Sequence, residues 1–146
     1  MTRELPPDCT HRFRVAELIG EGGYGEVYRA TQLQLDRTVA LKVLRAGRSD
    51  DPEDLQRFLA EARITAGLSH PGIVIVIDFG HAAGLPWIAY EYLPGPSLAK
   101  LIAKGPLEPA RALGAGAQIA RALHHAHQKG VLHRDVKPDN VIAAGD

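Results

Sequence analysis

The sequence holds a single cysteine, Cys9, in 146 residues. No disulfide and no cysteine-built zinc site can close within the chain, a pattern that suits a reducing compartment. An excess of either charge is also missing. Lys plus Arg number 17 and Asp plus Glu number 17. A neutral balance offers no basic field to nucleic acid or to an anionic membrane. Long apolar runs are absent too. The most apolar stretch, Ile73 to Ile77, stops at Asp78, far short of the roughly 20 residues that span a bilayer. The N-terminus carries no apolar run of signal-peptide type. These absences lead us to expect a cytoplasmic chain with no membrane contact from this segment and no nucleic-acid partner. No internal repeat or low-complexity tract is found. A hydrophobic content of 45% argues for a folded globular unit, and the length suits one ordinary domain.

The most informative stretch lies near the C-terminal end: His133-Arg134-Asp135-Val136-Lys137-Pro138-Asp139-Asn140, running into Val141-Ile142. It reads as a polar loop feeding a short apolar strand. A carboxylate, an ammonium and an amide oxygen on one short loop can converge on a single small volume. Phosphoryl transfer needs that set: a carboxylate to orient a hydroxyl and take its proton, a cation beside the moving group, and an oxygen ligand for magnesium.

A second informative stretch is Gly20-Glu21-Gly22-Gly23-Tyr24-Gly25-Glu26-Val27. Glycines at 20, 22 and 25 let backbone amides approach phosphate oxygens. The spacing also matches a dinucleotide-binding turn, but such a turn opens a helix. Here Val27-Tyr28-Arg29-Ala30-Thr31 favours a strand, and so many glycines would start a helix badly. The glycines therefore sit in a hairpin. The next strand, Thr38 to Leu44, puts Val39, Leu41 and Val43 on one face and Ala40 and Lys42 on the other. Lys42 is either an exposed residue of an edge strand or a cation held for use.

A helix follows, with Asp51 as cap, Pro52 in its first turn, Glu53 and Asp54 at its positive end, and Leu55, Phe58, Leu59 and Ala62 as its apolar stripe. Glu61 lies near the edge of that stripe. It pairs on the helix surface with Arg57, or it points inward to Lys42. Strands at Ile73–Ile77 and Trp87–Tyr90 come next, then Pro94-Gly95-Pro96 as a boundary. Ser97 caps a short helix ended by Gly105-Pro106. Glu108 to Lys129 reads as a long helix with Leu113, Ala117, Ala120, Leu123 and Ala126-His127 in its apolar register. His124, His125 and His127 have no carboxylate or thiol beside them, so we read them as favourable helix-end cations rather than metal ligands. Val131-Leu132 is expected to form a short strand.

Together these motifs resemble the eukaryotic-type serine/threonine protein kinases, in their bacterial form, from about Phe13 to Ala144. The resemblance implies an α+β, protein-kinase-like fold. It consists of a lead-in (residues 1–12), an N-lobe (13–93) with a five-stranded antiparallel sheet and one helix, and the beginning of a helical C-lobe (94–146). It implies ATP and Mg²⁺ as cofactors and a protein substrate with a Ser or Thr hydroxyl. It assigns Asp135 as the base, Lys137 to the γ-phosphate and Asn140 to magnesium. It places Lys42, paired with Glu61, on the nucleotide phosphates beneath Gly20, Gly22 and Gly25. Ile19, Val27 and Ala40 join the nucleotide site, with Val27 over the adenine, and Glu91 and Leu93 contribute through their main chain. Tyr90 matches the gatekeeper position, where its bulk narrows any pocket behind the adenine. Arg134 pairs, in the family, with a phosphorylated activation-loop residue.

Two departures matter. Asp78-Phe79-Gly80 spells the family's metal-binding tripeptide, but it precedes the catalytic loop, where the metal-binding one follows it. We read it as a strand end and turn and give Asp78 no metal role. The chain also stops at Asp146, before that tripeptide and the activation segment would come. This suggests an incomplete domain whose long helix leaves apolar surface bare. The rival readings are an ATP-binding module without transfer activity, a small-molecule kinase of related fold and, more remotely, a dehydrogenase.

Overall fold

The computed structural model describes residues 7–21, 25–44, 51–82, 85–133 and 136–144. The chain divides into two compact units. The first comprises residues 1–67 and 74–92, and the second 68–73 and 93–146. The segment Leu68–Ile73, read from sequence as part of the first lobe, thus groups with the second.

The first unit is built on an antiparallel sheet of β1 (Phe13–Glu21), β2 (Gly25–Gln32), β3 (Arg37–Leu44), β4 (Val76–Ala82) and β5 (Leu85–Glu91), in the order β1-β2-β3-β5-β4. Alternation on β3 sorts its two faces as expected. Val39, Leu41 and Val43 enter a core with Phe13, Ala30, Trp87 and Ala89. On the opposite face, Leu44 and Ile88 pack with Phe58 and Ala62 of helix α2 (Pro52–Ala66). Asp51 caps α2 by accepting from the Glu53 N–H, with Pro52 in the first turn. The buried stripe of α2 is Asp54, Phe58 and Ala62, so Leu55 and Leu59 flank it rather than lead it.

The N-terminal lead-in is more than loose chain. Pro7–Arg12 form a short helix, α1, and Cys9 is fully buried in the sheet's core. Phe13 meets Trp87 edge-on at 5.1 Å, and the Arg12 guanidinium lies 5.8 Å from the Trp87 ring centre. The sheet needs a cover on the face away from α2, and this segment supplies apolar atoms to it. The one helix expected within residues 13–93 is α2, and α1 adds a second to the unit from the lead-in.

Asp78-Phe79-Gly80 is also different from its reading as a strand end. β4 continues through Ala82, paired to Leu85 of β5, with a bulge between Val76 and Asp78. Pairing with β5 runs past the tripeptide, with His81 opposite Pro86 and Ala82 opposite Leu85. Of the turn expected after it, Ala83 and Gly84 lie outside the described residues.

In the second unit, Ser97 caps α3 (Leu98–Ala103) through its Oγ, which accepts from the Lys100 N–H. Glu108 caps α4 (Pro109–Gln128). Helix α4 buries Ala122 and Ala126 and leaves Leu113 76% exposed, so of the expected register Ala126 is buried and Leu113 is not. Seven alanines and two glycines make several faces of α4 similarly apolar, and packing chooses among them. Ala122 is the neighbour of Gly72, where an added Cβ would sit 3.1 Å from the alanine methyl. Val131-Leu132 forms no strand. Gly130 takes φ +77°, its N–H donates to His127 O, and the Val131 N–H donates to Ala126 O. This is a Schellman cap, and it commits Val131 to the end of the helix.

Candidate functional site

Lys42 stands in the middle of the sheet, between Val27 of β2 and Ile88 of β5. Its side chain emerges on the α2 face. There the ammonium donates to both carboxylate oxygens of Glu61, at 3.0 and 2.9 Å. It also lies 5.7 Å from the Phe58 ring centre. Phe58 and Ala62 anchor α2 to the sheet, and Glu61, beside them in the helical turn, is thereby aimed at β3. Arg57 turns instead to Glu53, at 3.7 Å. Of the two sequence readings of Glu61, the geometry is that of the inward pair.

Tyr90 is the third member of this group. It is the cross-strand neighbour of Ala40, and its hydroxyl donates to Glu61 Oε1. Burial first, and then the Glu61 carboxylate as charge and as acceptor, push the phenol well above its ordinary value of 10.0. The phenol therefore stays a donor. Sequence reasoning saw the bulk of Tyr90 and missed this bond. The signal was present: period two on adjacent strands puts Ala40, Lys42 and Tyr90 on one face once β3 and β5 are neighbours.

The glycine hairpin is described at its two ends. Gly20 pairs across to Val27, and Glu21 to Glu26; Gly22 lies outside the described residues. Gly25 is held by its neighbour strand. A Cβ there would fall 2.2 Å from the Val43 carbonyl oxygen, so backbone crowding alone demands glycine. Gly20 has no such limit, since its added Cβ would make only ordinary contact with Val27. Ile19 is partly exposed on β1. At the far end of β5, the Glu91 N–H donates to Ile75 O and its carboxylate accepts from the Ile75 N–H, both at 2.9 Å.

In the second unit, Asp135 and Arg134 lie outside the described residues. Their neighbours fold tightly. Lys137 precedes a 3₁₀ turn of Pro138–Asn140, and the Asn140 N–H donates to Lys137 O at 3.0 Å. The chain then pairs with the segment that begins the unit: Ile142 bridges Ser97, the Leu98 N–H donates to Val141 O at 2.7 Å, and the Ala143 N–H to Pro96 O at 2.9 Å. The expected strand at Val141-Ile142 is therefore a single bridge. Gly95, at φ +136°, lies so close that a Cβ would be 2.3 Å from Ala143 O.

Against known families, the model of the protein kinase domain matches residues 13–146. The chain belongs to the protein kinase family. Serine/threonine-protein kinase PknB of Mycobacterium tuberculosis is 44% identical over 142 residues, covering 94% of this chain and 23% of PknB. PrkC of Bacillus subtilis is 42% identical over 132 residues, covering 90% of this chain and 20% of PrkC. The PknI kinase domain of M. tuberculosis matches with a TM-score of 0.79 at 35% identity, over 91% of this chain and 54% of that one. The chain thus spans about a quarter of the length of those curated relatives. Asp78 lies on β4, where its Oδ2 accepts from Arg12 at 3.0 Å. No helix among the described residues is long and apolar enough to cross a membrane.

Proposed function

We propose that this chain is the nucleotide-binding lobe and the catalytic-loop portion of a protein kinase that transfers the γ-phosphoryl group of ATP to Ser or Thr hydroxyls of protein substrates, in the cytoplasm. The observation that carries the reading is the Lys42–Glu61 pair. A lysine whose ammonium donates to two oxygens keeps its third N–H in a fixed direction, as a phosphate cradle requires. The donor set suits Mg-ATP: an oriented ammonium, glycines whose missing Cβ atoms allow main-chain N–H groups near phosphate oxygens, and an amide oxygen at Asn140 for a hard cation.

In this proposal Lys42 holds the α- and β-phosphates, with Glu61 orienting it. Gly20, Gly22 and Gly25 let the hairpin lie close to the phosphates. Ile19, Val27 and Ala40 enclose the adenine. The Glu91 N–H is committed to Ile75, so Glu91 serves the adenine edge through its carbonyl, and Leu93 serves through its main chain. Asp135 orients the acceptor hydroxyl and takes its proton, Lys137 neutralises charge on the transferred group, and Asn140 holds Mg²⁺. When bound, the metal screens the negative charge of the phosphates.

A thermal-shift titration with Mg-ATP, run beside Lys42→Ala, tests the reading. A saturable rise in the wild-type chain that is lost in the variant supports it. The same rise in both, or in neither, overturns it.

A further inference from the structure

We propose that Tyr90 is a positioning residue: its hydroxyl holds Glu61 against Lys42 before any nucleotide arrives. The inference rests on the nucleotide-binding reading of Lys42 and goes beyond the bulk expected of this position. Phe58 and Ala62 fix where α2 lies on the sheet, but they do not fix the Glu61 carboxylate, which turns about three side-chain bonds of its own. The pair with Lys42 is only partly sheltered, with the lysine 25% and the glutamate 41% exposed. Such pairs hold weakly by themselves, because water competes for both ends.

Tyr90 changes that balance. It projects from β5, whose Trp87, Ile88 and Ala89 are fully buried, so its backbone is held by three packed residues just before it. A tyrosine side chain has two torsions to order, and a hydrogen bond to a charged acceptor is stronger than one between neutral groups. Glu61 Oε1 therefore takes two donors at once, Lys42 Nζ and Tyr90 Oη, from adjacent strands. The carboxylate is pinned between them, and the raised phenol remains protonated across the working pH range. The inward pair is then a property of the apo sheet rather than of a bound ligand.

The test uses the whole chain without nucleotide. Acylation of Lys42 by acetic anhydride, followed by peptide mass spectrometry, reads how firmly Glu61 engages the amine. Tyr90→Phe keeps the ring and removes the one donor. It is expected to speed labelling of Lys42 by roughly tenfold, the low end for a hydrogen bond to a charged group. Glu61→Gln is expected to speed it at least as much, and the double variant no more than Glu61→Gln alone. Wild-type labelling in Tyr90→Phe overturns the proposal, as does additive behaviour of the two changes or an unaltered rate in Glu61→Gln. Should Tyr90→Phe fail to fold, Tyr90→Met, which also lacks the donor, takes its place with the same expected rates. Mg-ATP affinity is measured separately on the same proteins. Loss of Tyr90–Glu61 coupling with ATP binding intact sinks the positioning role alone, and coupling without ATP binding sinks the nucleotide reading instead.

Discussion

Lys42 and Glu61 meet through two hydrogen bonds, one to each carboxylate oxygen, at 3.0 and 2.9 Å. The strand-to-helix link is half open to water, so its weight falls on binding more than on folding. Lys42→Ala should lower the unfolding free energy by less than about 1 kcal/mol. In the wild type, nucleotide at about a hundred times its dissociation constant should add about 2.7 kcal/mol, and the variant should lose this. Urea titrations with and without Mg-ATP measure both quantities. A large loss of stability without nucleotide would make Lys42 a structural residue.

Two glycines of one hairpin should behave oppositely. Gly25→Ala drives a methyl into the Val43 carbonyl, so β2 and β3 must part. It should cost about 3 kcal/mol, in the range of overpacking and backbone conflict. Gly20→Ala meets only ordinary contacts and should stay within about 1 kcal/mol. Chemical denaturation of the two variants separates crowding from phosphate binding as the reason for each glycine.

Asp78 should prove silent in nucleotide chemistry. Its carboxylate is joined to Arg12 at the surface, so Asp78→Asn should cost less than about 1 kcal/mol and leave the Mg-ATP response unchanged. Phe13→Ala, a residue away from Arg12, removes a ring buried against Trp87 and should cost about 3–5 kcal/mol. Thermal melts with and without Mg-ATP check both. A nucleotide response that vanishes in Asp78→Asn would return that residue to the site.

Alkaline pH should weaken the fold through Tyr90. Its phenol is raised in the folded state above an ordinary value of 10.0, so the folded chain holds a proton that the unfolded chain gives up. The stabilisation is complete below pH 10 and drains away as pH climbs beyond it. The denaturation midpoint of the wild type should fall more steeply between about pH 10 and 11.5 than that of Tyr90→Phe. Parallel curves would remove the Tyr90–Glu61 bond from solution.

The sheet was legible because it follows from local patterns, whereas the Lys42–Glu61 pair was left open by the residues and came only with the family resemblance. Alternation sorted β3, and the Asp51-Pro52 cap fixed the start of α2. The misreadings share a cause, which is that they turned on backbone and packing partners that residue type alone does not name. Val131 looked like a strand residue until Ala126 took its N–H. The register of α4 was ambiguous among its alanines, of which Ala122 is the one that lies against Gly72. Asp78-Phe79-Gly80 looked like a turn because glycine suggests one, but cross-strand pairing with Ile88 and Trp87 overrode it. Pro7–Arg12 gave no pattern long enough to read, and what fixes it is the Trp87 ring.

The meeting of Gly95 with Ala143 makes one splice out of two remote pieces of chain. Pro96, Ser97 and Leu98 are stitched to Val141, Ile142 and Ala143, and Asn140 is the next residue upstream. Whatever drags the first piece must drag the second, and Asn140 travels with it like a bead on a taut thread. A residue far from the loop in sequence is thereby given leverage over the residue proposed to hold magnesium. Gly95→Ala, by forcing the splice open, should unsettle Asn140 without touching it.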